Sequence, residues 1–235
     1  AVQSLTGSIS VKEPSIIIKV KDSEHIQTQL TMKKLVVGNV SYWDYLINDQ
    51  IHIEKIEFKD LETIYFKNHL NKAKDASSSK KESKLLSSIK IDKLNIENAS
   101  AIVYDGTKDS ILVSLKNTTI SIKDIVLDES SKSNLIPFNY KTINIAADSI
   151  FYKTSNYENI NLNHLLFEDQ TLTLHGFHYK NKYSKQEYES LLTIQRDYYD
   201  VTAEKLIINE LALGKENYSV VFKTNLISID KANAA

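Results

Sequence analysis

His175-Gly-Phe-His178 is the closest pair of histidines in the chain. On a strand, residues three apart point to opposite faces, so both imidazoles reach one metal ion only if the backbone bends at Gly176. Zinc ordinarily takes three or four protein ligands, so the pair reads as two strand histidines and not as a metal site. His25, His52, His69 and His164 are scattered and read as surface residues. Arg196-Asp-Tyr-Tyr-Asp200 sets a guanidinium among aromatics and carboxylates. That grouping suits a local ion pair with stacking, or a contact to a partner. No G-x-S-x-G, G-x-x-x-x-G-K-(S/T), H-E-x-x-H or G-x-G-x-x-G pattern occurs, and no pair of carboxylates stands out. The expectation is a chain with no catalytic residues, no metal and no cofactor.

Composition narrows the partners. The net charge is −1, so no global field draws nucleic acid or acidic lipid. Arg196 is the only arginine, and phosphate or carboxylate recognition usually favours the bidentate arginine fork. Nucleic acid is therefore not an expected partner. The absence of cysteine excludes disulfides, thiol catalysis and thiolate metal sites. With 42% hydrophobic residues the chain buries a core, yet its apolar runs are far shorter than the ~20 residues of a spanning helix. It opens on Ala1-Val-Gln3, with nothing resembling a signal peptide; a fragment of a longer protein with an upstream targeting or anchor segment is the expectation.

The element that must position any site is a strand of unusual pattern. In Ile89-Lys-Ile-Asp-Lys-Leu-Asn-Ile-Glu-Asn-Ala-Ser-Ala101, apolar residues alternate, skip a position and alternate again. The same apolar-x-apolar-x-x beat runs through Leu30, Met32, Leu35, Val37, Val40 and Tyr42. It returns in Ile51, Ile53, Ile56, Phe58 and Leu61, and in Val201, Ala203, Leu206, Ile208, Leu211 and Leu213. A weaker copy is Phe138, Tyr140, Ile143, Ile145 and Ile150. One inserted residue flips every later side chain to the other face. A β-bulge absorbs the insertion and bends the strand. The beat thus predicts long, repeatedly bulged and coiled strands; a two-residue turn at each break would give short hairpins instead.

Plainer alternating strands lie between the copies, at Ile111–Leu115, Ile120–Leu127, Ile160–Phe167, Leu172–Phe177 and Val220–Ile229. Short polar connections favour an antiparallel meander. Helix is scarce. Ser184 and Glu187 match a capping box, followed by Tyr188, Leu191 and Leu192 at helical spacing; Leu61 to Leu70 is a weaker helix candidate. Residues 72–84 hold no apolar side chain larger than Ala and read as a flexible loop. The beat is the same on both sides of it, so 1–235 reads as one elongated β-domain.

An apolar sheet face needs a cover. One or two short helices are too few for so many strands. Either the sheet closes on itself as a β-sandwich, or a concave face forms a groove that holds something apolar.

A resemblance bears on that choice. Ile91-Asp-Lys-Leu-Asn-Ile-Glu-Asn-Ala-Ser-Ala-Ile-Val-Tyr-Asp105, followed by Ser114-Leu-Lys-Asn-Thr-Thr-Ile-Ser-Ile-Lys-Asp-Ile125, resembles the repeat of the AsmA-like envelope proteins. Leu5-Thr-Gly-Ser-Ile-Ser10 is similar to the stretch that follows the membrane anchor there, although Ala99 stands where Gly is commoner. The resemblance implies an all-β, mainly antiparallel, elongated and strongly twisted sheet with a hydrophobic groove. It implies a non-enzymatic lipid-transfer or envelope-biogenesis module in the periplasm of a Gram-negative cell, anchored to the inner membrane by a segment outside 1–235. The expected partners are phospholipid or another envelope lipid, and an envelope protein. The expected groove lining is Ile51, Ile53, Ile56, Phe58, Ile89, Ile91, Leu94, Ile96, Leu206 and Ile208; plain core packing is the competing role for each. The competing function is an assembly module that binds a protein along a sheet edge.

Overall fold

The computed structural model describes residues 7–20, 23–67, 88–106, 110–194, 196–216 and 219–234; the 72–84 segment lies outside them. The strands are β1 (Ile9–Lys12), β2 (Ser15–Lys19), β3 (Ile26–Thr31), β4 (Lys34–Ser41), β5 (Gln50–Lys59), β6 (Glu62–Phe66), β7 (Ser88–Tyr104) and β8 (Ile111–Leu127). They continue with β9 (Thr142–Lys153), β10 (Glu158–Glu168), β11 (Thr171–Asn181), β12 (Asp200–Asn209), β13 (Ala212–Glu216), β14 (Ser219–Lys223), β15 (Leu226–Asp230) and β16 (Asn233–Ala234). Two helices interrupt them, α1 (Tyr42–Asn48) and α2 (Lys185–Leu191).

Fourteen strands form one open sheet: ten run in the order β1-β4-β5-β7-β8-β9-β10-β11-β12-β15, β2-β3-β6 pair in turn with one another and onto β7, and β16 pairs with β12; β13 pairs with β14. The sheet is not closed into a barrel. From β7 to β12 it is the expected meander, each strand antiparallel to the next. The exception is β7, which runs parallel to β5 and then to β6. A parallel neighbour cannot be reached by a tight turn, and here the connection spans residues 67–87. At about 3.3 Å per residue, the 17-residue strands β7 and β8 are roughly 55 Å long.

Several of the missed beats are left-handed kinks or bulges. Asn39, Asp60, Asn98, Ser149 and Glu210 each fall where the apolar alternation skips, and each has a positive φ between 49° and 53°. A residue in that left-handed conformation absorbs the extra position and turns the next side chain back to the original face. Asn and Asp tolerate it better than other non-glycine residues because their short polar side chains bond locally.

The bulges also line up across strands. Backbone bonds run from Glu13 N to Lys33 O, from Lys33 N to Lys59 O, and from Asp60 N to Glu97 O. They carry one crease from β1–β2 through β3–β4 and β5–β6 into β7, so that each shorter pair is one long strand kinked at the crease. Further along lie Asn117, Ser149, Gly176 (φ +62°) and Lys231, on β8, β9, β11 and the β15–β16 junction.

Of the Leu61–Leu70 helix expectation, Glu62–Phe66 is strand β6 instead, and residues 68–70 lie outside the described residues. Thr63, Ile64, Tyr65 and Phe66 are β-branched or aromatic, and β7 supplies them with a ladder partner. The expected helix after Ser184 forms, with both halves of the capping box in place.

Candidate functional site

Because paired residues on adjacent strands share a face, the register lists the sheet's faces row by row. The longest apolar row is Val11, Leu35, Phe58, Ile96, Ile120, Ile145, Phe167, Leu172, Ile208 and Ile227, one residue from each of ten neighbouring strands. With strands about 4.8 Å apart, that row is roughly 43 Å long. A second row joins Ile9, Val37, Ile56, Leu94, Ile122 and Ile143. A third joins Ala147, Leu165, Leu174, Leu206 and Ile229. The opposite face is polar from β5 to β9, as in Glu57, Asn95, Ser121 and Asn144, and carries Leu166 and Ile207 further along.

All ten residues read from the sequence as groove lining lie on this one face. Ile51 pairs with Ile89 and Ile53 with Ile91 on β5 and β7. Ile208, far off in sequence, shares the longest row with Phe58 and Ile96. The other seven members of that row were not among the ten, although Ile120, Ile145, Phe167 and Leu172 carry the same alternation. Ile145 falls in the weaker copy of the beat, whereas Ile120, Phe167 and Leu172 lie on the plainer alternating strands.

Among the described residues the face carries no continuous second layer. Apart from small contacts, each strand packs on its ladder neighbours, α1 packs on β5, and the turn at Ser130–Ser133 packs on β8. Burial nevertheless reaches 2% exposure at Ile125 and 3% at Ala147. Ile91, Ile122 and Ile125 form one cluster with Phe138 leaning on it. Ala147, Ile150 and Leu162 form another with Leu115, Leu165, Leu174 and Phe177. In the second cluster every member comes from the sheet itself. Away from these clusters the face opens: Phe58, Ile96, Phe167, Leu172 and Ile208 are half-buried, and Ile227 is 52% exposed.

A cleft of about 860 Å³ lies on this face. Its floor includes Ile143, Ile145, Leu165, Phe167 and Leu172; its walls are Leu135, Phe138 and Tyr140 on one side and Leu211 and Leu213 on the other. Asn134, Lys141, Asp169 and Gln170 add polar groups. This is the size and lining of a small-molecule site, apolar with a few polar atoms. The opposite end of the strands near β10–β12 is closed by aromatics around α2. Tyr188, 1% exposed, donates its hydroxyl to Glu158 at 3.2 Å and meets Tyr157 and Tyr198 edge to face. Arg196 sits 5.8 Å over the Tyr157 ring, so the stacking expected of it is realised on a neighbouring hairpin.

Three of the histidines, His52, His164 and His178, sit beside carboxylates. His178 Nε2 is 2.7 Å from Asp200 and His164 Nδ1 is 2.6 Å from Asp148, with Gly176 providing the bend. Among the described residues no three His, Asp or Glu side chains converge as metal ligands. His52 is not a plain surface residue: it bridges Asp44 on α1 at 3.0 Å and Asp92 on β7 at 2.9 Å. The hydrogen bond to Asp92 raises the His52 pKa; desolvation opposes this and Asp44 adds to the rise. Asp44 is lowered by its bonds to Ser41 and His52. At Asp92 burial pushes upward, but the bonds from His52 and Lys90 outweigh it and lower the pKa. The bridge holds α1 at the start of β5 while Trp43, Leu46 and Ile47 stay 74%, 72% and 73% exposed.

No helix among the described residues is long and apolar enough to cross a membrane. A comparison of the chain with protein-family models and with curated proteins gives no match.

Proposed function

We propose that this chain is a non-enzymatic carrier or conduit for lipid, which lays acyl chains along the concave apolar face and leaves headgroups in water. One observation carries the reading: an apolar row crosses ten strands of a sheet that, among the described residues, has no continuous second layer over it. Fully burying a side chain such as Leu or Phe is worth roughly 1.5–3 kcal/mol, so a long, half-wet row of them gains from any apolar ligand that dries it. The cleft beside Phe167 and Leu172 gives such a ligand a walled stretch. The resemblance of Ile91–Asp105 to the AsmA-like repeat supports an envelope lipid as that ligand, and a periplasmic site with an inner-membrane anchor outside this chain.

The test is native mass spectrometry of the purified chain, with solvent extraction of whatever travels with it. Phospholipid should accompany the wild type, or be taken up when offered. Phe167→Asp with Leu172→Asp should remove it and leave the circular dichroism of the sheet intact. A wild-type chain that carries no lipid and takes up none sinks the proposal.

A further inference from the structure

The two edges of the sheet fit each other. One edge is β1 and β2, the other β15 and β16. Counting directions along the strand order, with β5–β7 the single parallel step, β1 and β15 run the same way. Each edge is kinked at one residue of positive φ, Glu13 (51°) and Lys231 (49°). Within the chain, β5–β6 and β7 already show how parallel kinked strands join, with Asp60 beside Asn98 in one unbroken register.

Setting Glu13 beside Lys231 in the same manner places Ile9 against Ile227, Val11 against Ile229 and Lys12 against Asp230. Two apolar pairs then fall on the concave face and two opposite charges meet at the kink. A slip of one residue in either direction is penalised. One slip sets Lys12 against Lys231, the other sets Glu13 against Asp230, and like charges side by side on a sheet are unfavourable. The groups concerned are accessible: Ile9, Ile227 and Ile229 are 42%, 52% and 56% exposed.

We propose that the chain self-associates edge to edge, the β15–β16 edge of one copy pairing in parallel with the β1–β2 edge of the next. The contact is heterologous, so it leaves a free edge at each end and grows as an open array. It also carries the apolar face from one copy into the next. The inference does not depend on lipid binding.

Analytical ultracentrifugation of the full chain over a wide concentration range tests it. The wild type should form progressively larger species. Lys12→Glu with Glu13→Lys should weaken association by about tenfold or more, as should Asp230→Lys with Lys231→Glu, because each makes like charges meet. Combining all four substitutions restores both pairs and should restore association. Lys231 also pairs with Glu204 in its own chain, so the single change Asp230→Lys, which spares that pair, serves if a double variant loses its strand signal. A wild type that is monomeric at every concentration overturns the proposal and leaves the edges to another protein or to further polypeptide. Association indifferent to the charge reversals overturns it equally.

Discussion

Asn98 donates from Nδ2 to Asp60 Oδ1 at 2.6 Å across the parallel β5–β6 and β7 strands, and both residues are left-handed, with φ of 53° and 51°. The two bulges therefore share one crease. If either strand were bulged alone, its apolar residues beyond the crease would face the wrong side of its neighbour.

The crease makes a direct prediction. Asn98→Ala places an ordinary side chain in the left-handed region and removes the bond to Asp60, so it should destabilise the fold by about 1–2 kcal/mol. Asn98→Gly keeps the conformation accessible and loses only an exposed hydrogen bond, so it should cost less. Urea unfolding of the two variants would settle the order; an equal loss would place the cost in the hydrogen bond instead of the backbone.

At Gly176 the same conformation is combined with crowding. Its φ is +62°, and a Cβ there would lie 2.3 Å from Nδ2 and 3.1 Å from Cβ of Asn163. Gly176→Ala should cost at least about 1–2 kcal/mol. Trimming Asn163 to Ala in the same chain should recover only part of it, since the backbone penalty remains.

The His52 bridge predicts a pH response. A raised histidine pKa stabilises the folded state fully below the unfolded value of about 6.5, and that contribution fades as pH rises through the folded value. Trp43 is the only tryptophan and lies in α1. Its emission should therefore change as pH climbs through the raised His52 value and α1 loosens from β5. Asp44 and Asp92 give the opposite limb, with stability lost as pH falls through their lowered values. In His52→Gln the upper transition should vanish; its persistence would assign the change to another group.

Burial along the face is uneven, and stability should follow it. Ile125, 2% exposed within the cluster of Ile91 and Ile122, should cost about 2–5 kcal/mol on truncation to Ala. Ile227, on the same face but 52% exposed, should cost about 0.5 kcal/mol or less. Comparable losses in denaturant unfolding would mean that something covers Ile227 in solution.

Much of this was legible in the sequence because a bulge leaves a periodic trace. The skipped positions at Asn39, Asp60, Asn98, Ser149 and Glu210 are where the backbone turns left-handed, and the ten expected lining residues share a face as a result. What escaped was set by contacts distant in the chain. The parallel join of β5 to β7 is fixed by pairing partners across a long connection, which alternation alone does not encode. Leu61–Leu70 has a helix-like spacing over too few residues to outweigh the ladder that β7 offers. Helix α1 was missed because Tyr42 continues the strand beat; its start is set by Ser41, whose hydroxyl accepts from Asp44 N at 3.2 Å. Phe138 and Leu213 belong to copies of the beat, but tertiary folding is what brings them to one cleft with Leu135, and no local pattern encodes that meeting.

The central claim is that acyl chains lie on one face of the sheet, and neighbouring residues on β11 can separate the two faces. Leu172 belongs to the ten-strand apolar row, whereas Thr173 pairs with Leu166 and Ile207 on the other side. A photoreactive amino acid placed at each position in turn, irradiated with phospholipid present, reads the face directly. The account predicts lipid adducts at 172 and none above background at 173. Equal labelling at both positions, or labelling at neither, would contradict it.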